Sequence, residues 1–242
     1  MAEPTIVLLS TSDTDLISAR SSGKNYRWAN PSRLSDSELP DLLAGASIVV
    51  VRILGGYRAW RSGIDAVLGS GIPTVLVSGE QAADAELTDM STLAAGIAVQ
   101  AHIYLAYGGV ENVGQLHAFL SDTVLMTGVG FTEPVVTPTW GEPERTPAHN
   151  DGPTIAVLYY RAQHLAGNTA YIESLCTAIE HAGANALPVY CASLRTAEPE
   201  LLQRLGAADA MVVTVLAAGG LKPATASAGG DDDSWNVEHL AA

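Results

Sequence analysis

The residues Tyr159-Tyr160-Arg161-Ala162-Gln163-His164-Leu165-Ala166-Gly167-Asn168-Thr169 are those whose types and spacing could do chemistry. Arg161 offers a planar fork suited to carboxylate or phosphate. His164, three residues on, adds a donor or a proton relay near neutral pH. Gly167 and Asn168 precede an apolar-periodic run. Free N–H groups at Gly167–Thr169 would then lie at the positive end of a helix and suit an anion. The ordinary alternative is that Arg161 pairs with a neighbouring acid and the glycine only makes a turn.

A second candidate is Arg52-Ile53-Leu54-Gly55-Gly56-Tyr57-Arg58, where Arg52 ends an apolar run and Tyr57 follows paired glycines. Tyr26–Pro31 reads as a polar aromatic loop lining the same edge. Packing and turn formation account for both stretches adequately. Elsewhere the chemistry thins out. There is no G-x-x-x-x-G-K-[ST], so there is no P-loop and no sign that the chain itself hydrolyses a nucleotide, and Gly128-Val129-Gly130 fails the dinucleotide spacing. Neither G-x-S-x-G nor H-E-x-x-H occurs. The six histidines never pair at ligand spacing. Cys176 and Cys191 form no C-x-x-C pair and sit in apolar company, as buried free thiols do. A complete catalytic set is missing, and no metal or cofactor site is expected in this chain.

These residues need elements to position them. Thr5–Ser10, Ser47–Leu54 and Ile72–Ser78 are apolar runs of the kind buried on both faces of a parallel sheet. Helical patterns at Ser35–Ala44 and Tyr57–Leu68 alternate with them, and two more follow at 82–107 and 110–121. The alternation predicts a parallel sheet with helical crossovers. Five prolines then fall within residues 131–153, which read as a linker or an extended crossing segment. The pattern restarts with strands at Thr154–Tyr160, Asn185–Tyr190 and Ala210–Leu216. Helices are expected at Asn168–Ala182, with Asn168 as N-cap, and at Glu198–Leu205.

The expected architecture is therefore α/β, with two three-layer, parallel-sheet lobes of flavodoxin or Rossmann type. Residues 1–130 form the first lobe with extra helices, 131–153 the crossing segment and 154–242 the second lobe. The second lobe reads as truncated. After Gly219–Gly230, a helix start at Asp231–Ser234 has no fourth strand to lead to. The chain is expected to be a segment of a longer polypeptide, the alternative being a frayed tail on a complete domain.

Charge narrows the partners. Net charge is −14, with seven bases against six acids in residues 1–61 and five against twenty beyond. That excludes a general nucleic-acid or anionic-membrane binder, which needs a basic face. Met90–Val110 is uncharged, but its Gln100, His102 and glycines and its acidic flanks fit a buried helix better than a membrane span. No signal-peptide pattern opens the chain, so a cytoplasmic protein is expected.

Ser10–Asp15, Tyr26–Pro31, Arg52–Tyr57, Val77–Glu80, Tyr159–Thr169 and Gly229–Trp235 together resemble the N-terminal region of the aerobic cobaltochelatase large subunit (CobN). That family is related to the porphyrin-binding H subunit of magnesium chelatase. The resemblance runs the length of the chain, rests on many small motifs and is strongest to mycobacterial members. It covers only about the first fifth of such subunits. It implies a metal–nitrogen ligase that uses ATP to insert Co(II) into hydrogenobyrinic acid a,c-diamide in cobalamin synthesis. AAA-type partner subunits would hold ATP and Mg²⁺, and Co²⁺ would be substrate. The resemblance carries no catalytic residue onto this chain, which alone is expected to be inactive. Arg161, His164, Gly167 and Asn168, with Arg52 and Tyr57 behind them, are the candidates to meet the carboxylates of the corrinoid. Two other readings are an equivalent segment of a magnesium chelatase subunit and a non-enzymatic, two-lobed small-molecule binding protein.

Overall fold

The computed structural model describes residues 3–80, 82–149, 151–194 and 197–215. The expected helix start at Asp231–Ser234 lies outside them. Two compact units emerge, one comprising Met1–Thr137 with Leu165–Gly167, the other Pro138–His164 with Asn168–Ala242.

In the first unit, β1 (Ile6–Ser10), β2 (Tyr26–Ala29), β3 (Ile48–Ile53) and β4 (Thr74–Ser78) form an all-parallel sheet in the order β2-β1-β3-β4. The helices are α1 (Asp13–Ser21), α2 (Leu39–Leu43), α3 (Arg61–Gly69), α4 (Ala85–Met90), α5 (Ala95–Tyr107) and α6 (Val110–Leu125). The strands alternate between two cores. Ile6, Leu8, Ile48, Val50, Val75 and Val77 pack with α1, α5 and α6. Val7, Leu9, Val49, Val51 and Leu76 pack with α2, α3 and α4. Covering both faces is why β1, β3 and β4 read as unbroken apolar runs.

The expected loop at Tyr26–Pro31 is instead the edge strand β2 followed by a 3-10 turn at Pro31–Arg33. Four residues with Trp28 40% exposed give too short and too wet a pattern to read as a strand. Arg27 donates to the carbonyls of Leu42 and Ala44, both at 2.8 Å, and so closes the end of α2. The opposite edge, β4, is closed by hydroxyls. Ser91 accepts from the Leu76 N–H at 2.9 Å and Thr92 from the Thr74 N–H at 2.7 Å. The uncharged stretch contains α5, whose Tyr104 is fully buried. No helix among the described residues is long and apolar enough to cross a membrane.

His117 on α6 is buried, and its Nε2–H donates to the Pro4 carbonyl at 3.0 Å. Burial pushes its pKa below the usual 6.5, with Glu3 opposing. The unfolded chain then binds a proton that the folded unit resists, so stability falls as pH drops below about 6.5. His117→Gln should flatten this part of the stability–pH profile measured by urea denaturation. An unchanged profile would assign the acid sensitivity elsewhere.

In the second unit, β5 (Trp140–Gly141), β6 (Thr154–Tyr160), β7 (Asn185–Cys191) and β8 (Ala210–Val213) take the order β5-β7-β6-β8. Strands β6, β7 and β8 are parallel as expected, whereas β5 is antiparallel to β7, so this sheet is mixed. The strand comes from the segment read as a linker. Residues up to Thr137 lie with the first unit and those from Pro138 with the second. Pairing of β5 is confined to Tyr190 and Cys191. It leaves β7 effectively an edge at Pro188, where a residue without an N–H is tolerated.

Two helices cover the faces of this sheet. Helix α8 (Ala170–His181) covers Val157, Tyr159 and Tyr190, while α9 (Pro199–Gly206) covers Ala156, Leu158 and Val189. A further short helix, α7 (Arg161–Leu165), leads directly out of β6.

Candidate functional site

The parallel strands of the second unit run in the order β7-β6-β8, so the chain reverses its direction of winding between β6 and β8. The carboxyl ends of the strands at such a reversal are where open α/β sheets hold ligands. Strand β6 delivers Tyr159, Tyr160 and then Arg161 to that end.

No glycine or proline interrupts the chain from Ala156 to Ala166, so the backbone turns straight into α7. Gly167 ends this helix at φ +67, and the Asn168 N–H donates to the Gln163 carbonyl at 2.9 Å. That is a Schellman stop, in which a residue with positive φ lets the chain reverse after a helix. Two expectations change as a result. The N-cap of α8 is Thr169 rather than Asn168. The Asn168 N–H, expected to be free for an anion, is spent on the turn, and Gly167 serves the turn geometry. The side chains of the expected anion contact are those of Arg161 and His164.

Those two share one face of α7 by their i, i+3 spacing. The Arg161 Nε–H donates to the Pro138 carbonyl at 2.8 Å, and its half-buried guanidinium is pushed down from its ordinary value by burial, though it remains a cation. The imidazole of His164 stacks on Tyr190, with ring centroids 4.1 Å apart and planes 13° from parallel. Its Nδ1 lies 3.3 Å from the Tyr159 hydroxyl. Burial first, and then the Arg161 charge, push the His164 pKa down, which keeps the ring neutral near pH 7. Beside them the Tyr171 hydroxyl donates to Gln163 Oε1 at 2.5 Å.

Sequence reasoning missed Tyr190, which lies 26 residues beyond His164 on another strand. The signal was available in principle. Parallel pairing of β6 with β7 sets Tyr159 beside Tyr190, and both side chains then face α8.

The first unit's candidates do different work. Arg52 is only 7% exposed. Its Nη1 donates to both Asp15 oxygens at 2.9 and 3.0 Å and to the Leu105 carbonyl at 3.0 Å. Its Nη2 reaches the Gly79 carbonyl at 3.2 Å. These donors are turned into the protein rather than toward a ligand. The Tyr57 hydroxyl donates to Asp65 at 2.8 Å, which holds the phenol above its usual range, and Arg61 lies 5.3 Å from the ring. Arg52 and Tyr57 belong to the first unit, and Arg161 and His164 to the second.

Two clefts lie at the opposite, amino ends of the strands. One, about 470 Å³, is lined by Glu3, Lys24, His117 and Thr127. The other, about 510 Å³, is lined by Glu142, Arg145, Asn185 and Arg204. In the second cleft Arg204 is paired with Glu142 at 2.5 Å and Arg145 with Glu180 at 2.6 Å, pairs that strap residues 142–145 to the unit. The carboxyl end is the better candidate because the winding reversal there brings Arg161 together with His164, whose ring is held on Tyr190. Among the described residues no group of three or more His, Cys, Asp or Glu is placed to hold a metal ion.

Comparison with known proteins adds a family. The family model described as CobN/Magnesium Chelatase matches residues 102–241. The aerobic cobaltochelatase subunit CobN of Pseudomonas aeruginosa is 30% identical over 216 residues, covering 78% of this chain and 17% of the relative. The aerobic cobaltochelatase subunit CobN of Sinorhizobium sp. is 27% identical over 227 residues, covering 79% and 18%. Among solved structures, the catalytic subunit of cobaltochelatase from Mycobacterium tuberculosis is 80% identical with a TM-score of 0.89, over 99% of this chain and 20% of that one. The chain thus spans less than a quarter of the length of each of these three relatives.

Proposed function

This chain belongs to the CobN/magnesium chelatase family, and we propose that it is part of a large subunit of a cobaltochelatase that inserts Co(II) into hydrogenobyrinic acid a,c-diamide. The observation that carries this reading is 80% identity, over 99% of the chain, to a protein described as a cobaltochelatase catalytic subunit. In this reading the complex works in the cytoplasm, and AAA-type partner subunits hydrolyse ATP, consistent with a sequence that carries no P-loop. The chain's own task is recognition. Arg161 and His164, at the carboxyl end of the second sheet, meet the carboxylates at the corrinoid periphery, where a fork-shaped cation gives geometry as well as charge.

Insertion also needs groups that accept protons from the macrocycle and receive a hydrated cation. We assign those to other parts of the complex and expect this chain to be inactive alone. Two measurements test the proposal. Fluorescence titration of the chain should show tighter binding of an a,c-diamide corrinoid than of a porphyrin. The reverse order would move the reading to magnesium chelatase. Calorimetry with Co(II) alone should show no stoichiometric uptake, and tight uptake would contradict the division of labour.

A further inference from the structure

Tyr190 is absent from any motif, yet it makes the closest ring contact among the described residues of the second unit. Its ring lies 4.1 Å from that of His164 and 6.3 Å from that of Tyr159, the second contact edge-on at 72°. The ring is walled in by β5. A Cβ added at Gly141 would come within 2.5 Å of the Tyr190 hydroxyl oxygen and 2.8 Å of Cζ, so the backbone there lies directly on the phenol. Tyr190 is therefore gripped between a strand backbone and an imidazole. On its other edge His164 meets the Tyr159 hydroxyl at Nδ1, 3.3 Å away. Burial raises Tyr159 far above the ordinary phenol value, so it keeps its proton and can donate it. If the tyrosine donates to Nδ1, the imidazole proton sits on Nε2.

We propose that Tyr190 and Tyr159 are positioning residues that fix His164 as an Nε2–H donor beside Arg161, so that a carboxylate meets one cationic and one neutral donor. The ligand class rests on the proposed function, whereas the positioning rests on geometry alone. A neutral donor next to a guanidinium suits a carboxylate held without a second full charge, and it favours a ligand whose carboxylates are dispersed around a large ring. The titratable groups around the ring are Arg161 on α7, Tyr159 on β6, Tyr190 on β7, and Tyr171, Glu173 and Cys176 on α8, which act through Tyr159.

The test is histidine side-chain NMR on the chain, with a binding arm using a corrinoid that bears free carboxylates. In the unaltered chain His164 should titrate below the ordinary value of about 6.5 and carry its proton on Nε2. Tyr190→Phe keeps the stack and should preserve both properties. Tyr190→Ala uncovers one ring face and should raise the midpoint toward the ordinary value, with a several-fold loss of corrinoid affinity. Tyr159→Phe should move the Nδ1 resonance while leaving the stack. Should Tyr190→Ala not fold, Tyr190→Val keeps a strand-forming side chain, uncovers part of the same ring face and should raise the midpoint in the same direction. A midpoint indifferent to these changes, or a proton found on Nδ1, overturns the proposal. If the unaltered chain binds no corrinoid while the NMR pattern holds, the positioning stands and the substrate reading falls.

Discussion

Replacing Asp15 with alanine is expected to destabilise the first unit by about 3–5 kcal/mol, the usual loss when one member of a buried ion pair is removed. Asp15 is 3% exposed and Arg52 7%. The carboxylate takes both Nη1 contacts from Arg52 and a 2.6 Å hydrogen bond from the Ser10 hydroxyl. Burial pushes the Asp15 pKa up, against the opposing pull of Arg52 and Ser10. Without Asp15 the guanidinium keeps its carbonyl partners at Leu105 and Gly79 but has no counter-charge, and it cannot lose its proton. The loss should concern α1, which carries Asp15, together with the carboxyl ends of β1 and β3 and the end of α5, which Ser10, Arg52 and the Leu105 carbonyl tie to it. Urea denaturation of the chain should show the lowered midpoint. The double variant Asp15→Leu with Arg52→Met should regain most of it, because a well-packed apolar pair is often as stable as a buried ion pair. A loss below about 1 kcal/mol in Asp15→Ala would mean that water already reaches the pair.

The second large effect concerns binding. Arg161→Ala is expected to weaken corrinoid affinity about ten- to a hundredfold, the range for removing a hydrogen bond to a charged group. Arg161→Lys should fall between, since it keeps the charge but loses the fork. Urea denaturation of the same variants reads the structural part separately, since inside the unit Arg161→Ala loses the contact to the Pro138 carbonyl. Titration of the three proteins by fluorescence quenching separates the outcomes. Equal affinities would reduce Arg161 to an anchor for the segment that leads into β5.

Much of the architecture was legible because a parallel sheet covered on both faces writes itself as uninterrupted apolar runs. Strands β1, β3, β4 and β6 fall where such runs occur, and β6 matches to the residue. Strand β2 was not legible, since an edge strand of four residues with Arg27 at its centre has no apolar run to show. Strand β5 was hidden for a different reason. Two residues within a proline-rich stretch carry no periodicity, and their pairing is dictated by β7. The stretch between the expected strand end at Tyr160 and the expected helix start at Asn168 is itself a helix because nothing in Arg161–Ala166 resists one, and Gly167 is its stop.

The site was half legible. Arg161 and His164 stand out by type and by their place at a strand end. Tyr190 depends on strand register, which local pattern does not contain. Arg52 shows the converse limit. An arginine at a strand end beside glycines has the same sequence signature whether it turns outward to a ligand or inward to an aspartate, and Asp15 lies 37 residues away. Only the distance between them distinguishes the two roles.

The most direct test of the account is NMR mapping of a carboxylate-bearing corrinoid on the isotopically labelled chain. The account predicts that the largest perturbations fall on Arg161, His164, Tyr159 and Tyr190, while resonances around His117 and Arg204 at the amino-end clefts stay in place. Perturbations centred on either of those clefts, or none at saturating corrinoid, would contradict it.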